Sequence, residues 1–559
     1  MSNNYYNGAI LEKKVHILGN PLHKSRYELI KLYVNDALEY KRYESAHSCG
    51  SYLLIDNRNS LQIITSSGFT GGYLVMSGNN VYLANTLNQL LRINPISINM
   101  SSLLRYLSEH HTHMFPMSSI FNGVSVVPPF VHLSIDDGEI RSQKCYYIRT
   151  KTIAFHDVAE ENNRIFNELP VEKYLMFSGG IDSLGLSLGI NTRVNNITVN
   201  YGIGHHNSPR RASVISKMYN IETSVVSFKD IDISDILEQF KTDIINVYSP
   251  FNFVIKRSPQ NSTVISGQNY DAMFGINMIS LPIPYWLHLI WFKNIFKIVK
   301  YIAHNILFTD NYIRSRSVRY FVANTLNIGF KMKGKHKYYC DHTVNGIYLG
   351  LLSTGIPNII NKNSEKINKI LDIEIKKILD IIDPDYPLQV KVSLFYFYYY
   401  SFNSVRISNA FNARRNYGVS FPAMYSPFLN TVLNRKRTWS TAFTPKRPLY
   451  QYVGLKTGVE YHKSYSKKSY YSEYSASKND DTDVAYLVKI IQEYHMIYSS
   501  GIPALKSSIN KTNVNIPEIS KYIELFDVED TSVLPADDLI IIVKMINLEI
   551  LLQEINIAK

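Results

Sequence analysis

The order of apolar and polar positions divides the chain into three stretches. Up to about residue 150, short apolar or alternating segments are bounded by turn residues, which predicts an antiparallel, β-rich domain with one or two helices. From Tyr174, strand-like segments alternate with helical patterns, which predicts a doubly wound parallel sheet. From about Asp271 the pattern is mostly helical. We therefore expect an α/β protein with one domain over residues 1–150 and a second, with a helical C-terminal part, over residues 151–559.

One short segment, SGGIDS at residues 178–183, joins the first strand of the predicted parallel sheet to its helix. In such sheets, ligands bind beyond the carboxyl ends of the strands. Gly179 and Gly180 let successive backbone N–H groups turn toward an anion, and the following helix adds its positive N-terminal end. A carboxylate beside a bound anion is stabilised by a divalent cation, so Asp182 is a candidate Mg²⁺ ligand. The alternative interpretation is a capped turn that needs no ligand.

This segment resembles the pyrophosphate-binding loop of the N-type ATP pyrophosphatases, and three later segments resemble the asparagine synthetase family in the family's own order. SGQNYDAMFG at residues 266–275 is similar to the family's Ser-Gly-Glu-Gly-x-Asp-Glu-x-Phe-Gly. SPFLN at residues 426–430 is similar to Pro-Phe-Leu-Asp, and PKRPLY at residues 445–450 is similar to Lys-x-x-Leu-Arg. The β-rich front resembles the amidotransferase domain that precedes the synthetase domain in this family.

The resemblance implies a fold for each part of the chain. Residues 1–150 would form a degenerate glutamine amidotransferase-like domain of the Ntn-hydrolase type, with αββα layers. Residues 151–559 would form an asparagine synthetase-like domain on a doubly wound sheet of the ATP pyrophosphatase (HUP-like) type. Glutamine-hydrolysing members expose an N-terminal cysteine, whereas this chain has Ser2 and lacks the segments that hold glutamine. We therefore expect the front domain to be a scaffold or a substrate-recognition module.

The resemblance also implies roles for individual residues, with ATP and Mg²⁺ as cofactors. Asp182 and Asp271 would hold the metal, and the adenine would lie near Val199 and Tyr201. The pyrophosphate of ATP would be bound by five residues: Ser178, Gly179, Gly180, Ser183 and Gly267.

A lysine is expected to stabilise the charge that develops as an amine attacks the activated carboxylate. The resembling family carries this lysine in a basic segment after Lys-x-x-Leu-Arg, which here corresponds to LKTGVEYHKSYSKKS at residues 455–469. The candidates in it are Lys463, Lys467 and Lys468, and a Leu-x-x-x-Val-x-aromatic-basic pattern favours Lys463. Lys446 matches the lysine of the family's Lys-x-x-Leu-Arg segment. It would contact pyrophosphate, although an exposed surface lysine needs no role.

Two departures from the family pattern bear on the reaction. Gln268 stands at a catalytic position where ammonia-using members have a glutamate, and Ala272 replaces the acid after Asp271. Since a glutamine cannot take a proton, ammonia-dependent synthesis is weakened. β-Lactam synthetases and lasso-peptide cyclases show similar departures; they adenylate a carboxylate and let an amine of the same substrate attack it, which benefits from a high effective molarity.

The chain therefore resembles an ATP-dependent amide-bond-forming ligase that makes a macrolactam, as lasso-peptide cyclases do. Three alternatives stay open. The first is an asparagine synthetase-like enzyme that uses ammonia to amidate a small acid or a sugar acid. The second is a binding module that has lost activity, and the third is the nucleobase or tRNA chemistry of other ATP pyrophosphatases. The expected substrate is a peptide or small carboxylate, with a leader-peptide-binding protein and a protease as candidate partners.

Composition and charge limit the classes of partner and the compartment that we expect. The net charge of +13 comes without a dense Lys/Arg run or an RNA-binding signature, so we expect no nucleic-acid partner. Three cysteines form neither a disulfide framework nor a metal spacing, and the N-terminus lacks a signal-peptide pattern, which predicts a cytoplasmic protein. The most hydrophobic stretch, residues 279–308, carries lysines at helical spacing, so we expect no integral membrane segment. The aromatic run FYFYYYSFNS is predicted to form a buried helix face.

Overall fold

A computed structural model describes the placement of much of the chain. The described residues are 14–19, 51–57, 60–65, 67–77, 80–84, 86–91, 97–108, 117–136, 139–145, 156–157, 159–160, 167, 172–190, 193–200, 208–227, 231–245, 247, 249–254, 257–270, 342–344, 347–349, 364–386, 390–391, 394–395, 397–406, 408–412, 418–434, 447–458, 481–498, 501–511, 523–524 and 534–557.

The described strands, in chain order, are β1 (Lys14–Gly19), β2 (Ser51–Asn57), β3 (Ser60–Thr65), β4 (Gly72–Ser77), β5 (Asn80–Ala84), β6 (Val124–Val127), β7 (Val131–Asp136), β8 (Glu139–Cys145), β9 (Glu172–Met176), β10 (Asn195–Asn200), β11 (Thr223–Ser227), β12 (Ser262–Ser266), β13 (His342–Val344), β14 (Ile347–Leu349) and β15 (Val419–Ser420).

The described α-helices are α1 (Leu87–Leu91), α2 (Met100–Ser108), α3 (Ile181–Gly189), α4 (Ser208–Tyr219), α5 (Ile233–Phe240), α6 (Ser364–Ile381), α7 (Asn403–Arg406), α8 (Asn409–Asn412), α9 (Ser426–Asn434), α10 (Arg447–Thr457), α11 (Asp481–Tyr498), α12 (Pro503–Asn510) and α13 (Ala536–Ile557). A π-helix covers Phe397–Phe402, and two 3₁₀ turns cover Pro250–Phe253 and Pro422–Met424.

Strands β1 to β8, in the N-terminal part of the chain, form two antiparallel sheets with the orders β1-β2-β3-β7-β8 and β5-β4-β6. Strand β7 alternates buried and half-buried residues, as expected of a strand with one face on a core. Side chains of both sheets, among them Ile63, Leu74 and Leu133, form one apolar cluster. The two sheets therefore pack on each other through these faces, in agreement with the alternating pattern of the sequence.

A five-stranded parallel sheet follows, with the order β11-β10-β9-β12-β15. All four of its neighbouring pairs are parallel. Strand β12 is buried along its whole length, since a parallel sheet is covered by the helices that connect its strands. From the central strand β9, the chain builds outward through β10 and β11, and then returns to the other side with β12. The strand order thus reverses between β9 and β12, which is where α/β sheets bind ligands.

The prediction of a mixed α/β protein with a parallel sheet is confirmed. One buried cluster includes residues from both halves of the chain, such as Tyr73, Leu175 and Leu551. The aromatic run is confirmed as buried at Tyr398 and Tyr399, which lie in the π-helix. Among the described residues, no helix combines the length and the apolar character that crossing a bilayer requires.

Candidate functional site

The central strand β9 delivers the SGGIDS segment to the carboxyl edge of the sheet. Pairing with β10 continues one residue beyond the strand, because Phe177 N donates to Ile197 O at 2.8 Å. On the same residue, Thr198 Oγ1 donates to Phe177 O at 2.6 Å. Both contacts hold the backbone in line with the sheet up to Phe177, so the turn begins at Ser178.

Gly179 occupies a position where a side chain does not fit. Its φ is +66°, in the left-handed region that favours glycine. A Cβ there would lie 2.8 Å from backbone atoms of Arg211 and Ala212, the fourth and fifth residues of α4. The loop after β9 and the start of α4 therefore touch through backbone atoms, an approach that only glycine allows.

Two serine hydroxyls close the loop onto helix α3. Ser183 Oγ donates to Gly180 O at 3.0 Å and accepts from Ser178 N at 3.2 Å. Ser178 Oγ lies 3.4 Å from Ser183 Oγ and accepts from Gly180 N at 3.4 Å. Ser183 is buried, whereas Ser178 is half-buried. Ser183 thus fixes the loop through its hydroxyl hydrogen, and Ser178 is the serine with access to a ligand.

Helix α3 begins directly at this loop, with Gly180 as its N-cap and Asp182 in its first turn. The first-turn N–H groups of a helix have no intrahelical acceptor, and the helix dipole adds positive potential at this end. Asp182 is half-buried. Its carboxylate therefore stands at the edge of a site with an anion-binding character, the position from which it could hold a cation against a bound phosphate.

The loop after β12 reaches the same helix end. A Cβ on Gly267 would lie 3.2 Å from Ser183 N and 3.3 Å from the carbonyl carbon and Cβ of Asp182. This glycine therefore lets the second loop approach the first turn of α3. Gln268 follows it, half-buried, and its backbone N donates to Ser266 Oγ at 3.1 Å.

Asn269 holds this second loop in place. It has a φ of +75°, a conformation that asparagine tolerates better than most residues. Its Oδ1 accepts from Ser404 Oγ at 2.5 Å, and its Nδ2 donates to Ser401 O at 3.3 Å. The resembling family pattern has glycine at this position, so the backbone geometry explains why asparagine can stand there. No pattern in the sequence singles out this residue.

The two remaining motif segments pack against the first two. In SPFLN, the buried Phe428 lies in α9, and its ring is 5.0 Å from that of Tyr270 in an edge-to-face arrangement. In PKRPLY, the buried Leu449 of α10 contacts α3. A Cβ built on Gly185 of α3 would lie only 2.7 Å from Leu449 Cδ1. The second and fourth segments therefore contact helix α3, and the third packs on the second.

The ligand roles expected of the remaining site residues stay predictions. Val199 lies in β10 with a buried side chain, in register with Val226 of β11. Within the described part of the chain, no three His, Cys, Asp or Glu side chains cluster closely enough to hold a metal ion. The other half of the expected metal pair and the remaining candidates lie outside the described residues: Tyr201, Asp271, Lys446, Lys463, Lys467 and Lys468.

Arg211 is a residue at the site that the sequence patterns did not single out. Its Nε donates to Ser178 O at 2.8 Å. The only signal in the sequence was its place near the start of a helix that follows a strand of the parallel sheet. Such a place puts a side chain near the ligand edge without specifying its role.

The chain matches no model of a known protein family and no curated protein sequence. The chemistry of the site is therefore inferred from its own residues and from the motifs that they form.

Proposed function

We propose that the protein is an ATP-dependent ligase that adenylates a carboxylate, releases pyrophosphate, and lets an amine of the same substrate form an amide or macrolactam. The observation that carries this proposal is that the loops after β9 and β12 meet at the start of α3, where the strand order reverses, while the other two motif segments pack against α3 and against the β12 loop. Chance similarity of short motifs gives no reason for Gly267 to approach the first turn of α3, for Leu449 to pack on the same helix, or for Phe428 to pack beside Gly267 on Tyr270. ATP use explains that arrangement.

The SGGIDS loop would bind the β- and γ-phosphates of ATP. The first-turn N–H groups of α3 supply donors, and the half-exposed Ser178 supplies a hydroxyl. Gly180 is half-buried, and the absence of a side chain there keeps its backbone accessible, whereas Gly179 lets the loop pack on α4. Mg²⁺ held by Asp182 and Asp271 would neutralise charge on the leaving pyrophosphate. The substrate carboxylate oxygen attacks the α-phosphorus, the bond to the bridging oxygen breaks, and pyrophosphate leaves with that electron pair.

The second step joins the amine to the activated carbonyl and expels AMP. Gln268 follows Gly267 in the loop that approaches α3, and its amide cannot act as a base, which is compatible with an amine delivered by the substrate itself. Lys463 is the proposed source of positive charge for this step, with Lys446 contacting pyrophosphate. The expected substrate is a peptide or a small carboxylate, and leader-binding and protease partners are part of the same proposal.

The front domain would be a degenerate amidotransferase-like unit that serves as a scaffold or recognises substrate. Its two antiparallel sheets, packed through a shared apolar cluster, support this assignment. The parallel sheet and its connecting helices likewise support a synthetase unit of the ATP pyrophosphatase type.

ATP–pyrophosphate exchange tests the proposal. Wild type, Asp182→Asn and Asp235→Asn would be assayed with Mg²⁺ and a panel of free amino acids, sugar acids and acidic peptides with a free N-terminal amine. Asp235 is a matched control, because it is also a half-buried acid in the first turn of a sheet-connecting helix, α5. We expect exchange that needs a peptide, survives in Asp235→Asn and falls by at least about a hundredfold in Asp182→Asn.

Two other outcomes have a defined meaning. Exchange with a small acid, followed by incorporation of ammonia, would move the function to an asparagine synthetase-like amidation. Absence of ATP binding by the wild type would contradict the proposal and favour a binding module without activity.

A further inference from the structure

The guanidinium of Arg211 lies across the Ser-Gly-Gly turn. Its Nε donates to Ser178 O at 2.8 Å. On the other side, Nη2 and Cζ lie 3.7 Å and 3.9 Å from the position of a Cβ on Gly180. The side chain is half-buried. The Nε of the guanidinium thus fixes the loop, and Nη2 lies near Gly180, the N-cap of α3.

The backbone of α4 fixes the starting point of this side chain. Because Gly179 touches the backbone of Arg211 and Ala212 directly, the start of α4 cannot slide along the loop without opening that contact. The guanidinium is therefore held beside the end of α3 by a backbone contact and by a hydrogen bond. This is a preorganised arrangement rather than a long side chain that reaches the site by chance.

The electrostatics of this position favour an anionic ligand. The N-terminal ends of α3 and α4 both lie at the loop, and each carries the positive end of a helix dipole. A positively charged side chain beside such helix ends is destabilising, because its charge lies in their positive potential. Of the residues in the first turn of α3, Asp182 is the only acid. An anion with several negative charges between the helix end and the guanidinium would reverse the repulsion.

We infer that Arg211 binds the pyrophosphate half of ATP: its Nε holds the loop, and its Nη groups donate to β- or γ-phosphate oxygens. This inference rests on the proposed function, and it adds a residue that none of the four motif segments contains. A planar guanidinium can serve both partners at once, whereas a lysine presents a point charge and cannot bridge them. The interaction is confined to the pyrophosphate half, so it should not contribute to binding of AMP.

Equilibrium binding by calorimetry tests this inference without requiring turnover. The probes are inorganic pyrophosphate, ATP and AMP, each with Mg²⁺, and the proteins are the full-length wild type, Arg211→Met, Arg211→Lys and Lys217→Met. Lys217 is a matched control, because it is an exposed cation in the last turn of the same helix. A thermal melt of each variant checks that it is folded.

We expect Arg211→Met to weaken pyrophosphate and ATP binding by about tenfold to a hundredfold, the loss typical of a charge-assisted hydrogen bond. AMP affinity should stay within about twofold of the wild type, and Lys217→Met should bind all three probes normally. Arg211→Lys should recover only part of the loss, and it keeps the measurement decisive if Arg211→Met does not fold.

Three results would overturn the inference. Pyrophosphate binding by Arg211→Lys or Arg211→Met that equals the Lys217→Met control would show that Arg211 does not bind the anion, while the proposed function would stand. An equal loss for AMP and pyrophosphate would show that Arg211 only supports the loop. A wild type that binds neither ATP nor pyrophosphate would remove the proposed function and this inference together.

Discussion

A single added methyl group at Gly179 should strongly destabilise the site. In Gly179→Ala, two costs arise at once. The residue would hold a left-handed φ of +66°, and its Cβ would stand 2.8 Å from the backbone of α4. The conformational cost of such a φ for alanine is about 1–2 kcal/mol. Displacing a packed helix end costs about 1–3 kcal/mol more, because backbone atoms cannot rotate away as a flexible side chain can.

Gly458 separates these two costs. It has a φ of +68°, nearly that of Gly179, and no atom of the described residues lies within 4 Å of a Cβ built on it. Gly458→Ala should therefore have only the conformational cost and lose about 1–2 kcal/mol of unfolding free energy. Gly179→Ala should lose about 2–5 kcal/mol. Its ATP affinity should also fall, since the start of α4 and the loop must move apart.

Urea unfolding, followed by circular dichroism, measures both variants against the wild type. The difference between the two losses isolates the contact between the loop and α4. If Gly179→Ala and Gly458→Ala lose the same free energy of unfolding, the close backbone contact is not present, and the geometry deduced for the SGGIDS loop is wrong.

Two further predictions concern the buried carboxyl of Asp243 and the side chain of Asn269. Burial raises the pKa of Asp243 from 3.8 to about 7, although the N–H of Ile244, Arg406 and the hydroxyl of Tyr73 favour its charged form. Since the folded state holds this proton more tightly than the unfolded state, its stabilising effect is complete below about pH 4 and is lost as the pH rises to about 7, a change of about 4 kcal/mol. Asp243→Asn should remove this part of the slope in a plot of unfolding free energy against pH, and an unchanged slope would refute the assignment. Asn269→Gly keeps the φ of +75° but loses the bonds to Ser401 and Ser404, so it should cost about 1–3 kcal/mol, and Asn269→Ala should cost more because it adds strain; chemical denaturation would contradict this if alanine were the better tolerated of the two.

The sequence predicted those parts of the fold that have a local pattern. Strands β9 to β12 lie where runs such as YLMF and STVISG indicated them, because buried parallel strands read as continuous apolar segments. Strand β15 was not predictable: Val419–Ser420 is too short for any periodicity, and it becomes a strand only by pairing with β12. The π-helical form of Phe397–Phe402 was also beyond a pattern that predicts only burial.

The candidate site was predictable only in part, for a related reason. The glycines and Asp182 belong to a local motif, and their place at a strand end followed from the order of strand and helix. The contacts of Leu449 with Gly185 and of Arg211 with Ser178 join residues separated by long stretches of chain, and no local pattern encodes them. Such contacts are set by how helices pack on the sheet.

The central claim is that ATP activates a carboxylate by adenylation, and an isotope-transfer measurement tests it most directly. The substrate that supports pyrophosphate exchange would carry a heavy oxygen isotope in its carboxylate, and the nucleotide and phosphate products would be analysed by mass spectrometry. Adenylation places one labelled oxygen in AMP and none in pyrophosphate, because the carboxylate oxygen bonds to the α-phosphorus and leaves with AMP. We predict that result for the wild type and its loss in Asp182→Asn. Label in inorganic phosphate, released together with ADP, would contradict the account.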